Sequence, residues 1–206
     1  MALDLNTYID AEMSSHEEVF AAMRESISKP FGVLLRASLK AIGSGGKIVF
    51  FGNGGSAADA QHLATELTVR YINDRAPIPA ISLSTDTSSL TAIGNDLGFE
   101  DVFARQVDAL VREEDVVIGI STSGNSENIV RALRRAKSKG AVVAGSSGCG
   151  GGRMLGLANP LLNVPSQQTA RIQEMHILIG HMLCGALEQE LSLICCLLYT
   201  SDAADE

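Results

Sequence analysis

Tryptophan is absent from this 206-residue chain, and aromatic residues make up only 4% of it. A stacking surface for carbohydrate or single-stranded nucleic acid needs more rings than that. Positive charge is scarce too. Sixteen Lys and Arg face 24 Asp and Glu, a formal net charge of -8. That balance argues against nucleic acid or an anionic membrane as a partner. No CxxC pair occurs, and, with Cys196 set aside as part of the C-terminal tail, Cys149, Cys184 and Cys195 are widely spaced. They read as free thiols in a reducing cytoplasm, so a cytoplasmic protein is expected. "LSLICCLLY", the longest uncharged apolar stretch near the end, is too short to span a bilayer. The opening "MALDLNTYID" is polar and acidic, unlike a signal peptide.

What remains is a globular composition, 46% apolar and 19% charged, with mean hydropathy +0.16. The length suits one large domain with a sizeable core. The final "CLLYTSDAADE", residues 196–206, resembles the translation of a common transposase sequencing adapter. It is set apart from the fold as a scar, with a genuine apolar C-terminus as the other reading. Without Asp202, Asp205 and Glu206, 16 bases against 21 acids leave -5. The scar reading leaves the natural C-terminus undetermined.

Residues 5 to about 42 carry helical periodicity, with Pro30 as the expected break between two helices. "GSGG" closes the second. Five apolar runs follow: "KIVFF" (47–51), "PAISL" (79–83), "DVVIGI" (115–120), "GAVVAGS" (140–146) and "PLLNV" (160–164). Continuous β-branched runs suit strands buried on both faces of a parallel sheet. Helical segments separate most of them, and "SENIVRALRRAKSKG" ends in basic residues and Gly as a helix should. The expected fold is α/β, a doubly wound five-stranded parallel sheet with an N-terminal helical extension. It forms a single domain over 1–195, with N-terminal helices in 4–44, a sheet core in 47–165 and a C-terminal helix over 169–191.

Ligands in such sheets bind beyond the carboxyl ends of the strands. Two strand-to-helix turns there are chemically unusual, "GNGGS" (52–56) and "STSGNS" (121–126). Ser121, Thr122, Ser123 and Ser126 offer hydroxyls, and Gly124 frees backbone amides at a helix N-terminus. Together they can hold a phosphate without Lys or Arg. Such residues also cap helices and turn chains for structural reasons alone. Two such turns on the ligand-binding side favour a ligand. "GSGGKI" lacks the spacing of a P-loop, and "GNGGSA" lacks the acid a dinucleotide ribose would need.

Past the first turn, His62 and Glu66 stand at i and i+4 on one helix face. Such a pair can share a divalent metal, pass a proton, or be an ordinary polar surface pair. In the late helix Gln173, His176 and His181 interrupt an apolar face, where polar groups need partners. His176 reads as a satisfied core histidine. Gln173 and His181 lie roughly 12 Å apart along the helix axis and would meet at one ion only by reaching toward each other.

"GNGGSAADAQHLATEL", "LSTDTSSLTAIGNDLGFEDVF", "GISTSGNSENI" and "RIQEMHILIGH", in this order, resemble the phosphoheptose isomerases of the sugar-isomerase (SIS) fold. The resemblance runs from about residue 4 to residue 191. It implies interconversion of sedoheptulose 7-phosphate and D-glycero-D-manno-heptose 7-phosphate, the first step toward ADP-heptose. His62, Glu66, Gln173 and His181 match that family's zinc ligands, and Glu66 and His181 its proton-transfer residues. Asn53, Gly54, Gly55, Glu66, Asn95, Asp96, Ser121, Thr122, Ser123, Ser126 and Gln173 match its substrate contacts. The resemblance also implies a homotetramer with active sites at subunit interfaces, so that Gln173 and His181 would reach the His62/Glu66 face of a neighbour. Lipopolysaccharide core, capsule and other glycoconjugates are all open as destinations of the product. The alternative is a non-catalytic adaptor like the DnaA-associating replication regulators, which share the fold. In their pattern the acid matching Glu66 and the histidine matching His181 are missing, and this chain has both. The loop "SSGCGGGRM" (146–154) departs from the isomerases, with Gly150 where relatives often carry an acid. It reads as conformational rather than catalytic.

Overall fold

The computed structural model describes the backbone of residues 3–202 and the side chains of residues 3–191. Helices α1 (Leu5–Ser26) and α2 (Ser28–Gly43) lead into strand β1 (Ile48–Gly52) and helix α3 (Gly55–Thr68). There follow β2 (Ala80–Ser82), α4 (Thr87–Asp96), α5 (Ala104–Leu110), β3 (Val116–Ser121) and α6 (Glu127–Ser138). The chain closes with β4 (Val142–Ser147), β5 (Leu161–Asn163) and α7 (Thr169–Asp202). All five apolar runs are strands, with their ends displaced by a residue or two.

Two expected boundaries move. The break between the first helices falls at Ile27, and Pro30 sits inside the first turn of α2. A proline there sacrifices no helical hydrogen bond, because first-turn amides have no partner within the helix. The last helix runs on to Asp202 rather than stopping at 191. Residues 192–202 contain no Gly or Pro to end it. The adapter-like reading of 196–206 and the thiol of Cys195 concern side chains outside the described residues.

The sheet order is β2-β1-β3-β4-β5, and every pairing is parallel. Alternation along β1 splits the core. Ile48 and Phe50 face a cluster with Leu63 and Leu67 of α3 and Ile172, Met175 and Ile179 of α7. Val49 and Phe51 face a second cluster built with α5 and α6. Each such buried large side chain contributes about 1.5–3 kcal/mol. At the opposite end from the two glycine- and serine-rich turns, buried Asp115 accepts from the Lys47 amide at 2.9 Å and pairs with its Nζ at 2.7 Å. This joins the start of β1 to the start of β3. Cys149 and Cys184 are free, and burial pushes the Cys184 thiol up to about 12. Among the described residues no helix is long and apolar enough to cross a membrane.

Candidate active site

The chain leaves β1 toward β2 on one side and then crosses to β3 on the other. The crevice between β1 and β3 is therefore the switch point where ligands of open α/β sheets bind. Both turns singled out from sequence open onto it. At the first, Gly54 precedes α3 with φ 56 and makes no side-chain cap. At the second, Ser126 precedes α6 and does not cap it either. Its Oγ lies instead 3.2 Å from that of Ser121. Two helix N-termini, each carrying partial positive charge, thus meet beside a Ser126 hydroxyl that is not spent on capping.

The second turn is held from beneath. Gly124 has φ +65, and a Cβ there would fall 2.1 Å from the Gly151 carbonyl oxygen. The Gly124 carbonyl accepts from the Met154 amide at 3.1 Å, and that of Thr122 accepts from the Gly148 amide at 3.0 Å. Ser123 Oγ accepts from the Asn125 amide at 3.2 Å. The glycine-rich segment 148–154 is the seat of the serine turn.

Asn53 and Asn128 exchange two amide hydrogen bonds of 2.9 Å each, tying one turn to the other. Asn128 was not among the residues expected from sequence. Its signal is a polar side chain on the buried stripe of α6, beside Ile129, Ala132 and Leu133. Asn95 and Asp96 hydrogen-bond to each other at 2.8 Å on the exposed end of α4. Among the described residues, no hydrogen bond joins them to either turn.

Farther along α3, His62 Nε2 lies 3.3 Å from Glu66 Oε1 and 3.0 Å from His181 Nε2. The two histidines meet because α7 packs closely along α3. A Cβ on Gly180 would come within 2.5 Å of the Leu63 side chain, so glycine lets the two helices approach without displacing it. The contact is made within one chain, and His181 needs no neighbouring subunit to reach His62. Tyr71 stacks on His181 with ring centroids 5.6 Å apart at 25°. No spacing signal pointed to Tyr71, which follows α3 in a loop. Asp59, one turn before His62, has a buried Oδ2 that meets no hydrogen-bond partner among the described residues. Burial raises its pKa, against the pull of His62 and His181.

Gln173, two turns before His181 on α7, lies against the glycine turn. Its Nε2 is 2.5 Å from where a Cβ on Gly55 would stand. His62, Glu66 and His181 carry donors suited to a divalent ion, two imidazole nitrogens and a carboxylate oxygen. Among the described residues, however, no group of three His, Cys, Asp or Glu is arranged to hold one. The 3.0 Å between the nitrogens is shorter than the roughly 3.3 Å expected for two nitrogens on one tetrahedral zinc.

The SIS domain family model matches residues 8–148. The phosphoheptose isomerase of Paramagnetospirillum magneticum is 53% identical over 182 residues, 88% of this chain and 95% of that protein. The structure of phosphoheptose isomerase from Neisseria gonorrhoeae is similar with TM-score 0.85 and 40% identity, over 90% of this chain and 99% of that one. That of a phosphoheptose isomerase from Francisella tularensis gives TM-score 0.87 and 34% identity, over 91% and 100%.

Proposed function

The chain belongs to the phosphoheptose isomerases, sugar phosphate isomerases of the SIS-domain family, and we propose that it interconverts sedoheptulose 7-phosphate and D-glycero-D-manno-heptose 7-phosphate in heptose biosynthesis. The observation that carries this reading is the trio of His62, Glu66 and His181 alongside two helix N-termini at the switch point.

An aldose–ketose shift moves one proton between adjacent carbons and another between their oxygens. It needs a base at carbon, an acid at oxygen and stabilisation of the enediolate. Glu66, its side chain 19% exposed, takes the proton from the carbon next to the carbonyl. His181, fixed by Tyr71 and already hydrogen-bonded to His62, delivers and removes the proton at the oxygens. The amides of the glycine turn and the hydroxyls of Ser121, Thr122, Ser123 and Ser126 hold the phosphorylated end. Gln173, against Gly55, lines the same turn. Asn53 contributes through the turn it braces with Asn128. Asn95 and Asp96 belong to this reading as substrate contacts through the family pattern alone.

Once the rings of His62 and His181 part from their 3.0 Å contact, these two and Glu66, with Gln173 as the family pattern has it, would hold a zinc ion, which would supply polarisation of the carbonyl. Self-association into a homotetramer belongs to the same reading. Leu5, Ile9, Met13 and Phe20 form an exposed apolar stripe along α1 that supports it. A cytoplasmic location fits the free thiols.

The test is direct. Sedoheptulose 7-phosphate in deuterated buffer should yield the aldose, with deuterium at the carbon that lost its proton. Absence of turnover by the metal-loaded protein, together with tight binding to a protein partner, would move the chain to the adaptor reading. Metal analysis should find zinc in the parent and not in His62→Ala. Light scattering should give the mass of four chains.

A further inference from the structure

Glu188 lies on α7, about two turns past His181, and its side chain is only 1% exposed. Nearly everything around it comes from the segment that follows α3. Its carboxylate accepts from the backbone amides of Tyr71 at 3.2 Å, Ile72 at 3.3 Å and Asn73 at 2.6 Å. It also accepts from Asn73 Nδ2 at 2.7 Å and from Arg75 Nε at 3.1 Å. A buried carboxylate with this many donors is well compensated, and removing it would strand all of them.

What these bonds hold in place matters for the reaction. Arg75 continues from Glu188 to the end of α3, where Nη2 donates to the Glu66 carbonyl and Nη1 to the Leu67 carbonyl, both at 2.8 Å. Carbonyls in the last turn of a helix have no partner within it, so Arg75 completes the turn that carries Glu66. Meanwhile the bond to the Tyr71 amide anchors the residue whose ring lies against α7. A Cβ on Gly185 would lie 3.2 Å from that ring, one turn past His181, on which the same ring stacks.

We infer that Glu188 is a positioning residue for the isomerisation, acting through Arg75 on Glu66 and through Tyr71 on His181. This rests on the assignment of Glu66 and His181 above. One buried carboxylate joins the base and the acid, which stand on different helices, and keeps both in register.

The experiment uses the full chain with Glu188→Gln, Tyr71→Leu and Tyr71→Phe. Glu188→Gln keeps the volume but loses the charge that gathers five donors. It should lower kcat by about 10- to 100-fold with KM little changed, as loss of a supporting contact does. Tyr71→Leu should lower kcat as well, and Tyr71→Phe, which keeps the stacked ring, should restore it. The readout that a merely stabilising role would not move is the NMR resonance of the His181 ring, identified by its loss in His181→Gln. It should shift in Glu188→Gln and Tyr71→Leu and stay in Tyr71→Phe. A folded Glu188→Gln with parental kcat and an unmoved His181 resonance overturns the inference. If that variant does not fold, the Tyr71 pair decides, and equal kcat and equal resonances in Leu and Phe overturn it. A parent that does not isomerise the sugar overturns the proposed function instead, and the His181 resonances still decide the positioning.

Discussion

The Nε2 atoms of His62 and His181 lie 3.0 Å apart, although 119 positions separate the residues in the chain. Glu66 Oε1 stands 3.3 Å from the same His62 nitrogen. On the mechanism proposed above, the base and the acid are therefore close together before any substrate arrives, which would limit the reorganisation needed at the moment of reaction.

Glu66→Gln keeps the size of the side chain but cannot accept a proton from carbon. Its turnover should fall by about 10²- to 10⁴-fold, the usual worth of a general base. Incorporation of solvent deuterium should fall with it while substrate still binds. Exchange at the parental rate would remove Glu66 from the role of base.

Ser121 and Ser126 direct their hydroxyls at each other rather than at the α6 backbone. Replacing both by Ala should weaken sugar phosphate binding by roughly tenfold or more, at about 1 kcal/mol per hydrogen bond lost. Thermal stability should change little, since Ser126 caps nothing. Calorimetric titration with sedoheptulose 7-phosphate reads the difference, and an unchanged affinity would take these hydroxyls out of the site.

Gly124→Ala combines a left-handed backbone with a Cβ 2.1 Å from the Gly151 carbonyl oxygen. The serine turn would have to lift from its glycine-rich seat. A loss of about 1–3 kcal/mol in unfolding free energy is expected. Denaturant titration checks it, and a variant as stable as the parent would show that the seat yields freely.

His176 is 3% exposed, and burial holds its pKa at about 4 instead of 6.5. Between those values the unfolded chain binds a proton that the folded chain refuses. The stability it contributes is whole above pH 6.5 and is lost as pH falls toward 4, on the order of 3 kcal/mol in all. His176→Leu should flatten that part of the stability curve. Urea midpoints measured from pH 4 to pH 7 with the same slope in variant and parent would show that another group is responsible.

The layered α/β fold was legible residue by residue. Runs such as "KIVFF" and "DVVIGI" are apolar at every position because both faces of β1 and β3 are buried, and that requirement is written locally. The shape of the turns was legible for the same reason, since the positive φ of Gly54 and Gly124 is a local property of the backbone. Helical spacing put His62 and Glu66 on one face.

Packing between elements decided the rest. The placing of β1 beside β3, which joins the two turns in one crevice, follows from strand order. The exchange between Asn53 and Asn128 exists only once that order is set. His181 reaches His62 because Gly180 lets α7 close on Leu63, and the same packing brings Gln173 against Gly55. Glu188, Arg75 and Tyr71 give no periodic signal, being a buried acid on one helix and two residues of a loop. Periodicity reports which face of an element is buried. It carries no record of which residue of another element will lie against that face, because that depends on the volumes of side chains distant in the chain.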